Sequence, residues 1–206
     1  MKSYLLNDFS EKEAYLRFIE YMLDESEAFS LVYFKYDKSE PTKKSTKEVA
    51  EMLKPYKICS HETCSWPSNM TLNENGHIYK LTLYRAERGA FDALAKADGL
   101  FDWDYPRFPM DLCFFKGGYA WFVSSGHSQY AVIYTDSDDA VARLSDIGAK
   151  IQLNGEIKES NLYTTEDAKR KITADEVRNT KLEITPEMQK QIDYVKRAFG
   201  IQDGTQ

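Results

Sequence analysis

The spacing of hydrophobic residues along the first half of the chain changes between the period of a helix and that of a strand. Apolar side chains recur every three or four residues over 15–23, which predicts an amphipathic helix with one buried face. Ser10 and Glu13 form a capping-box pattern at its start, and Ser45 opens a second helix in the same way. Between the two helices, the aromatic and β-branched residues of 29–36 predict a strand.

The clearest β pattern lies between residues 112 and 135. Three apolar runs are separated there by Gly117-Gly118, a two-residue loop suited to a tight hairpin, and by a second turn at 125–128. This arrangement predicts a three-stranded antiparallel meander. The remaining pattern predicts strands at 56–59, 77–84 and 149–153, a helix at 87–97, and a helix that Asp136 or Ser137 caps and Gly148 closes.

The aromatic residues indicate where the hydrophobic core lies. Aromatic side chains bury the most surface, and they make up 14% of the chain, yet beyond residue 155 they are only Tyr163, Tyr194 and Phe199. We therefore predict an α+β fold, with a mainly antiparallel sheet of five to six strands and flanking helices over residues 1–155. Residues 156–206 are predicted to form a charged helical C-terminal extension.

The end of this extension carries the pattern of an amphipathic helix. Thr185-Pro186 is typical of a helix start, and apolar residues follow on one narrow face: Met188, Ile192, Val195 and Phe199. A helix with one apolar stripe must lie against its own domain or against another chain. We favour the second, in which the helix contacts either a second copy of this chain, in a homo-oligomer through the C-terminal helix, or the protein partner.

Charge and composition restrict the classes of partner. The net charge is −6 and the sequence pI is about 5.2, and no cluster of Lys and Arg is free of interleaved acids. Nucleic acid is therefore not an expected partner, and another protein with a basic surface is. The chain begins without the apolar stretch of a secretory signal, has no apolar run that could span a membrane, and contains three cysteines. We expect a cytoplasmic protein with reduced thiols and no membrane contact.

Four soft metal ligands lie close together in the sequence, namely Cys59, His61, Cys64 and His77. Zinc prefers such ligands, but structural zinc sites usually combine two closely spaced pairs, and here the fourth ligand stands alone. The simpler interpretation is two small residues in a loop and an exposed histidine. No cofactor is predicted, although a small zinc-stabilised domain stays open as an alternative.

The segment 101–109 is the most unusual in the chain, because carboxylates alternate with aromatic residues and two prolines follow. In one interpretation Trp103 and Tyr105 fill the core while Asp102 and Asp104 face water. In a second, the segment is a rigid binding surface, since Trp, Tyr and Arg are typical of protein–protein hot spots. In a third, the two carboxylates perform acid–base or metal chemistry.

A histidine among serines offers a second candidate for chemistry. His127 lies in the run 124–128 with three serines, but the Gly-x-Ser-x-Gly elbow that exposes a catalytic serine is absent. Ser, Gly and His are also common as simple turn formers. Phosphate-binding glycine loops and His-Glu-x-x-His are absent as well, which favours a protein that is not an enzyme.

Part of the chain resembles a known group of proteins. The runs that carry the resemblance are Trp103-Asp104-Tyr105-Pro106, Asp111-Leu112-Cys113-Phe114-Phe115 and Gly118-Tyr119-Ala120-Trp121-Phe122. They are similar to segments of small, acidic, uncharacterised bacterial proteins of the toxin-immunity or phage-inhibitor type. The resemblance covers at most residues 30–150 and includes no catalytic motif. It implies an inhibitor or immunity protein.

These observations together favour a non-enzymatic protein-binding protein, inhibitor or immunity-like, of a bacterium or phage. The binding residues are predicted to be Asp102, Trp103, Asp104, Tyr105, Arg107 and His127. The first alternative is a hydrolase that uses Asp102, Asp104 and His127, and the second is the zinc-stabilised domain.

Overall fold

The structure is a computed structural model that describes residues 1–35, 44–72 and 77–180, together with Pro186 and Gln189. The strands are β1 (Lys2–Leu6), β2 (Ala28–Lys35), β3 (Lys57–Glu62), β4 (Ser65–Trp66), β5 (Asn69–Met70), β6 (Ile78–Arg85), β7 (Met110–Lys116), β8 (Tyr119–Ser125), β9 (Tyr130–Tyr134) and β10 (Ile151–Glu156). The α-helices are α1 (Lys12–Glu25), α2 (Lys44–Leu53), α3 (Phe91–Leu94), α4 (Asp138–Ile147), α5 (Thr165–Ala168) and α6 (Ala174–Arg178).

Eight strands form one antiparallel sheet in the order β10-β1-β9-β8-β7-β2-β6-β3, while β4 and β5 form a separate short hairpin. The prediction of an α+β fold with a mainly antiparallel sheet is confirmed. The predicted size of five to six strands is wrong, because the sheet has eight. Strand β1, which the hydrophobic pattern does not reveal, lies between β10 and β9 and pairs Leu6 with Ile151 and Ala131.

The predicted meander and the caps of α4 are confirmed. Gly117 and Gly118 have φ values of 62° and 90°, a left-handed backbone that other residues adopt only with strain, and they join β7 to β8. At the start of α4 the Ser137 hydroxyl accepts a hydrogen bond from the backbone N–H of Ala140. Gly148, with φ of 104°, ends the helix in the left-handed conformation.

Two predicted capping boxes do not form. Helix α1 begins at Lys12, and its N-cap is Glu11, which makes no side-chain capping bond. Ser45 lies inside α2, and its hydroxyl donates to the backbone carbonyl of Arg107 instead. The helix predicted at 87–97 is shorter, and consists of a 3₁₀ turn (Arg88–Ala90) followed by α3.

The sheet is covered on both faces. On one face a large apolar cluster joins α1, α2, α3 and α4 to the sheet, and its fully buried members include Tyr15, Phe18 and Phe122. On the other face a smaller cluster around Val32, Leu83 and Phe115 lies under the β4–β5 hairpin and α5. Burial on both faces explains why the central strand β7 is apolar almost throughout.

The first part of the predicted extension packs on this second face. The backbone N–H of Ala120 donates to the carbonyl of Tyr163 at 2.8 Å, and that of Cys64 donates to Ile172 at 2.8 Å. Ala168 belongs to the apolar cluster, and Ile172 is 7% exposed. Residues 157–178 therefore contribute to the packing of the sheet. The stripe residues Met188, Ile192, Val195 and Phe199 lie outside the described residues.

We expect the packing of this segment to contribute measurably to stability. Replacing buried Ile172 by Ala should lower the free energy of unfolding by about 2–5 kcal/mol, the range for a large apolar side chain that leaves a cavity. Leu153→Ala is the matched control, since Leu153 is 59% exposed on β10. Urea denaturation of both variants checks this, and equal stability of the two would contradict the packing described.

Candidate functional site

The loop that carries the predicted site is anchored in the core by Trp103. Its side chain is fully buried, and its ring packs against Phe108 with centroids 5.4 Å apart. The indole N–H donates to the hydroxyl of Tyr15 at 3.0 Å, and that hydroxyl donates to the carbonyl of Leu94 at 2.9 Å. The chain therefore satisfies both buried polar groups. Trp103 does not lie on the surface, where a binding residue was expected, and instead holds the loop in place.

Hydrogen bonds within the loop fix its backbone. The N–H of Phe108 donates to the carbonyl of Asp104 at 3.0 Å, and the N–H of Asp111 donates to the carbonyl of Trp103 at 3.0 Å. From α2, the Thr46 hydroxyl lies 3.2 Å from the carbonyl oxygen of Arg107. The loop is thus tied at several points to the elements on either side of it.

The turn between β8 and β9 lies directly against this loop. Gly126 is buried, and a Cβ atom there would collide with the carbonyl oxygen of Trp103. Only glycine permits this approach, which brings His127 beside Asp104, with Nδ1 and Oδ2 4.0 Å apart. We call the exposed part of residues 98–109 and 126–129 the loop–turn surface. The structure thus brings together two predicted site residues that are distant in sequence.

A buried carboxyl group stabilises the contact between the loop and the β8–β9 turn from the other face of the sheet. Asp111 is 3% exposed and has φ of 57°, an uncommon value for a residue other than glycine. Its carboxylate accepts bonds from the Trp66 indole N–H at 2.7 Å, the Ser68 hydroxyl at 2.7 Å and the Gly126 N–H at 3.2 Å. Burial raises the pKa of Asp111, although these bonds oppose the shift. Sequence patterning missed this residue, since Asp111 precedes the strand predicted from residue 112 and is not among the predicted site residues.

The other predicted site residues reach solvent. Arg107 is exposed and approaches Asp102 at 3.4 Å and Asp98 at 3.3 Å. Lys12 also pairs with Asp98, at 2.7 Å, and these two cations lower the pKa of that carboxyl, with Lys12 contributing most. Tyr105 is half-buried, and the His127 side chain is 89% exposed. The loop–turn surface therefore mixes carboxylates, a guanidinium, an imidazole and a phenol.

The positions of Ser124 and Ser125 do not suit nucleophilic catalysis. The Ser124 hydroxyl is buried and donates to the carbonyl of Leu112 at 2.7 Å, and Ser125 is also buried. An activated serine requires a base within hydrogen-bond reach and access to substrate. The Asp104–His127 contact is the one feature of the loop–turn surface that favours acid–base chemistry.

The four candidate metal ligands, Cys59, His61, Cys64 and His77, do not form a metal-binding cluster. Within the described ranges no group of three or more His, Cys, Asp and Glu residues is placed to hold a metal ion. The Cys59 thiol lies 3.8 Å from the carbonyl of Ala168, while the His77 ring packs against Phe34. The interpretation as a zinc-stabilised domain gains no support from these positions.

A cleft that sequence reasoning missed lies on the helical face, between α1 and α4. It has a volume of about 940 Å³, and aromatic side chains including Tyr21 and Trp121 contribute to its lining. Its charged rim is partly neutralised, because Arg88 pairs with Asp24 at 2.6 Å and Lys116 with Glu25 at 2.6 Å. None of the predicted site residues lines this cleft.

Comparisons with protein-family models, with curated proteins and with solved structures find no match for this chain. Among the residues that the structure describes, no helix combines the length and the apolar character needed to cross a membrane. Function has to be inferred from the chain's own residues.

The burial of Asp111 predicts a pH dependence of stability. Because its native pKa is raised, the folded state binds this proton more tightly than the unfolded chain, and ionisation costs stability. As pH rises from the ordinary value of 3.8 through the raised native pKa, the free energy of unfolding should fall relative to that of Asp111→Asn, which does not titrate there. Urea titrations of both proteins at a series of pH values measure the difference. If the free energy of unfolding of wild type relative to Asp111→Asn stays constant or increases with pH, Asp111 does not have the raised native pKa that its burial implies.

Proposed function

We propose that this protein is a non-enzymatic binding protein, of the inhibitor or immunity type, and that the loop–turn surface receives a protein partner. The observation that carries the proposal is that exposed charged side chains and the half-buried Tyr105 stand on a backbone fixed by buried groups. Trp103 and Asp111 hold that backbone from opposite faces of the sheet. A surface ordered before binding loses little conformational entropy on association, which favours affinity.

The charge of the surface supports a partner with a basic face. The loop–turn surface carries three carboxylates, of Asp98, Asp102 and Asp104, and the cation Arg107, while Lys12 of the neighbouring α1 pairs with Asp98. With Lys12 included and His127 counted as neutral, these groups carry one net negative charge. The whole chain has a net charge of −6. Complementary charge steers encounter and selects partners. Asp104, with a side chain 35% exposed, can accept further bonds from a partner's Lys or Arg.

A hydrolase is the second candidate, and the 4.0 Å contact of His127 with Asp104 favours it. In that function Asp104 would orient the imidazole, His127 would act as general base, and Asp102 would supply a second carboxylate. Such an activity should disappear in His127→Ala. An inhibitor that merely uses His127 for contact would have no activity to lose.

The proposal is tested by removing the exposed groups while leaving the anchors intact. The variant Asp104→Ala/Arg107→Ala/His127→Ala keeps Trp103, because that side chain belongs to the core. The matched control replaces three exposed charges near the far edge of the sheet: Lys57→Ala/Glu62→Ala/Lys80→Ala. Each full-length protein is used as bait in extract of its source cells, and the captured partner is then titrated by calorimetry.

We expect the control to retain the partner and the loop–turn variant to lose at least about 2 kcal/mol of binding free energy, the scale of a hot spot. Thermal melts establish that both variants are folded. Unchanged affinity in a folded loop–turn variant would remove this surface from the interface, and with it the proposed function.

A further inference from the structure

The cleft between α1 and α4 has the dimensions of a small-molecule site. Its volume of about 940 Å³ falls within the range of about 300–1,000 Å³ that is common for ligand pockets. The two helices form its walls, and strand β8 contributes Tyr119 and Trp121 between them. Among the residues that the structure describes, none of the loop–turn surface lines this cleft. A ligand of the cleft is therefore independent of the proposed protein interface.

Aromatic side chains with unused hydroxyl groups lie in the middle of the cleft. The rings of Tyr21 and Trp121 meet edge to face, with centroids 6.4 Å apart, and the Trp121 indole N–H donates to the Ser26 hydroxyl at 2.9 Å. Tyr21 and Tyr119 are half-buried. Within the described part of the chain, neither phenol has a hydrogen-bond partner. Both tyrosines therefore keep part of a ring and a hydroxyl available to a ligand.

Two guanidinium groups at one end of the cleft have no carboxylate partner. Arg17 of α1 donates from Nη2 to a neutral acceptor, the backbone carbonyl of Ile147 at the end of α4, at 3.2 Å. Arg143 lies about one helical turn before Ile147 and is exposed. No described carboxylate pairs with either arginine. Burial raises the pKa of Tyr21 and Arg143 opposes this shift, so the Arg143 guanidinium lies within electrostatic range of the phenol.

The carboxylates that line the cleft are compensated by other groups. Asp24 accepts two bonds from the Arg88 guanidinium, at 2.8 Å and 2.6 Å, and Glu25 pairs with a lysine of β7 at 2.6 Å. Asp139 lies in the first turn of α4, where the positive end of the helix dipole favours a carboxylate. The bond to Asp24 raises the pKa of Arg88, and Glu20 adds to the shift, so Glu20 acts on the same cation. An anion can therefore bind the two unpaired arginines without displacing an ion pair.

We propose that the cleft binds a small aromatic carboxylate. The forked N–H groups of Arg143 and the remaining donors of Arg17 match the two oxygens of a carboxylate. The ring of the ligand packs against Tyr21 and Tyr119, which favour an aromatic neighbour. A neutral ligand with the same ring leaves the guanidinium groups without an anion, and a ligand with an ammonium group is repelled by them.

Ligands that share an indole ring and differ in charge test the proposal. Indole-3-acetate, indole-3-acetamide and tryptamine are titrated into the full-length protein, with phenylacetate as a second acid, and amide and indole N–H resonances are followed by NMR. We expect both acids to bind saturably and to shift the Trp121 indole N–H. The neutral amide and the amine should bind at least about tenfold more weakly than indole-3-acetate, because they lose hydrogen bonds between charged groups.

A variant that removes one guanidinium tests the assigned residues. Arg143→Gln breaks no ion pair of the described chain and should weaken indole-3-acetate binding at least about tenfold, while binding of the neutral amide stays as in wild type. The matched control is Lys80→Gln, an exposed cation of β6 outside the cleft, which should leave the affinity unchanged. Absence of saturable binding by both acids, equal affinity for the three indoles, or unchanged affinity in folded Arg143→Gln overturns the proposal.

Discussion

The burial of one indole is the interaction on which the candidate site depends. Trp103 belongs to a surface loop, yet its ring lies in the core and its N–H reaches the Tyr15 hydroxyl. Replacing so large a buried aromatic side chain by alanine typically costs about 3–5 kcal/mol. The same residue's carbonyl accepts the Asp111 N–H and lies against Gly126. Side chain and backbone together therefore set the distance between loop and turn.

Asp111 extends this constraint across the sheet. Its carboxyl group accepts hydrogen bonds from the β4–β5 hairpin and from Gly126, so one buried side chain joins the hairpin, the turn and the start of β7. Among the residues that the structure describes, no cation pairs with Asp111, so its carboxyl group depends on these bonds. The loss of any donor would leave a buried polar group less well compensated. The loop–turn surface is therefore held by the hydrogen bonds of Asp111 on one face of the sheet and by the buried ring of Trp103 on the other. Tyr130 adds a bond from its hydroxyl to the Ser68 carbonyl at 2.7 Å.

Local patterns predicted those parts of the fold that local forces decide. The Gly117-Gly118 hairpin and the caps of α4 follow from backbone conformation within a few residues, and both were found where expected. Strand β1 is held by partners more than 120 residues away, which no local period reveals. Ser45 had the right spacing for a cap but bonds to the loop carbonyl of Arg107 instead. For the candidate site, residue types marked segment 101–109 and His127, but could not show that Trp103 points inward.

We infer that the loop–turn surface is rigid because buried groups hold its backbone, and amide hydrogen exchange measures that rigidity residue by residue. The informative N–H groups are those of Phe108, Asp111 and Gly126, bonded to the Asp104 carbonyl, the Trp103 carbonyl and the Asp111 carboxylate. If the claim holds, these amides exchange only when the whole domain unfolds, with the same denaturant dependence as amides of β7. Exchange at the rate of an unstructured peptide, while β7 stays protected, would contradict it.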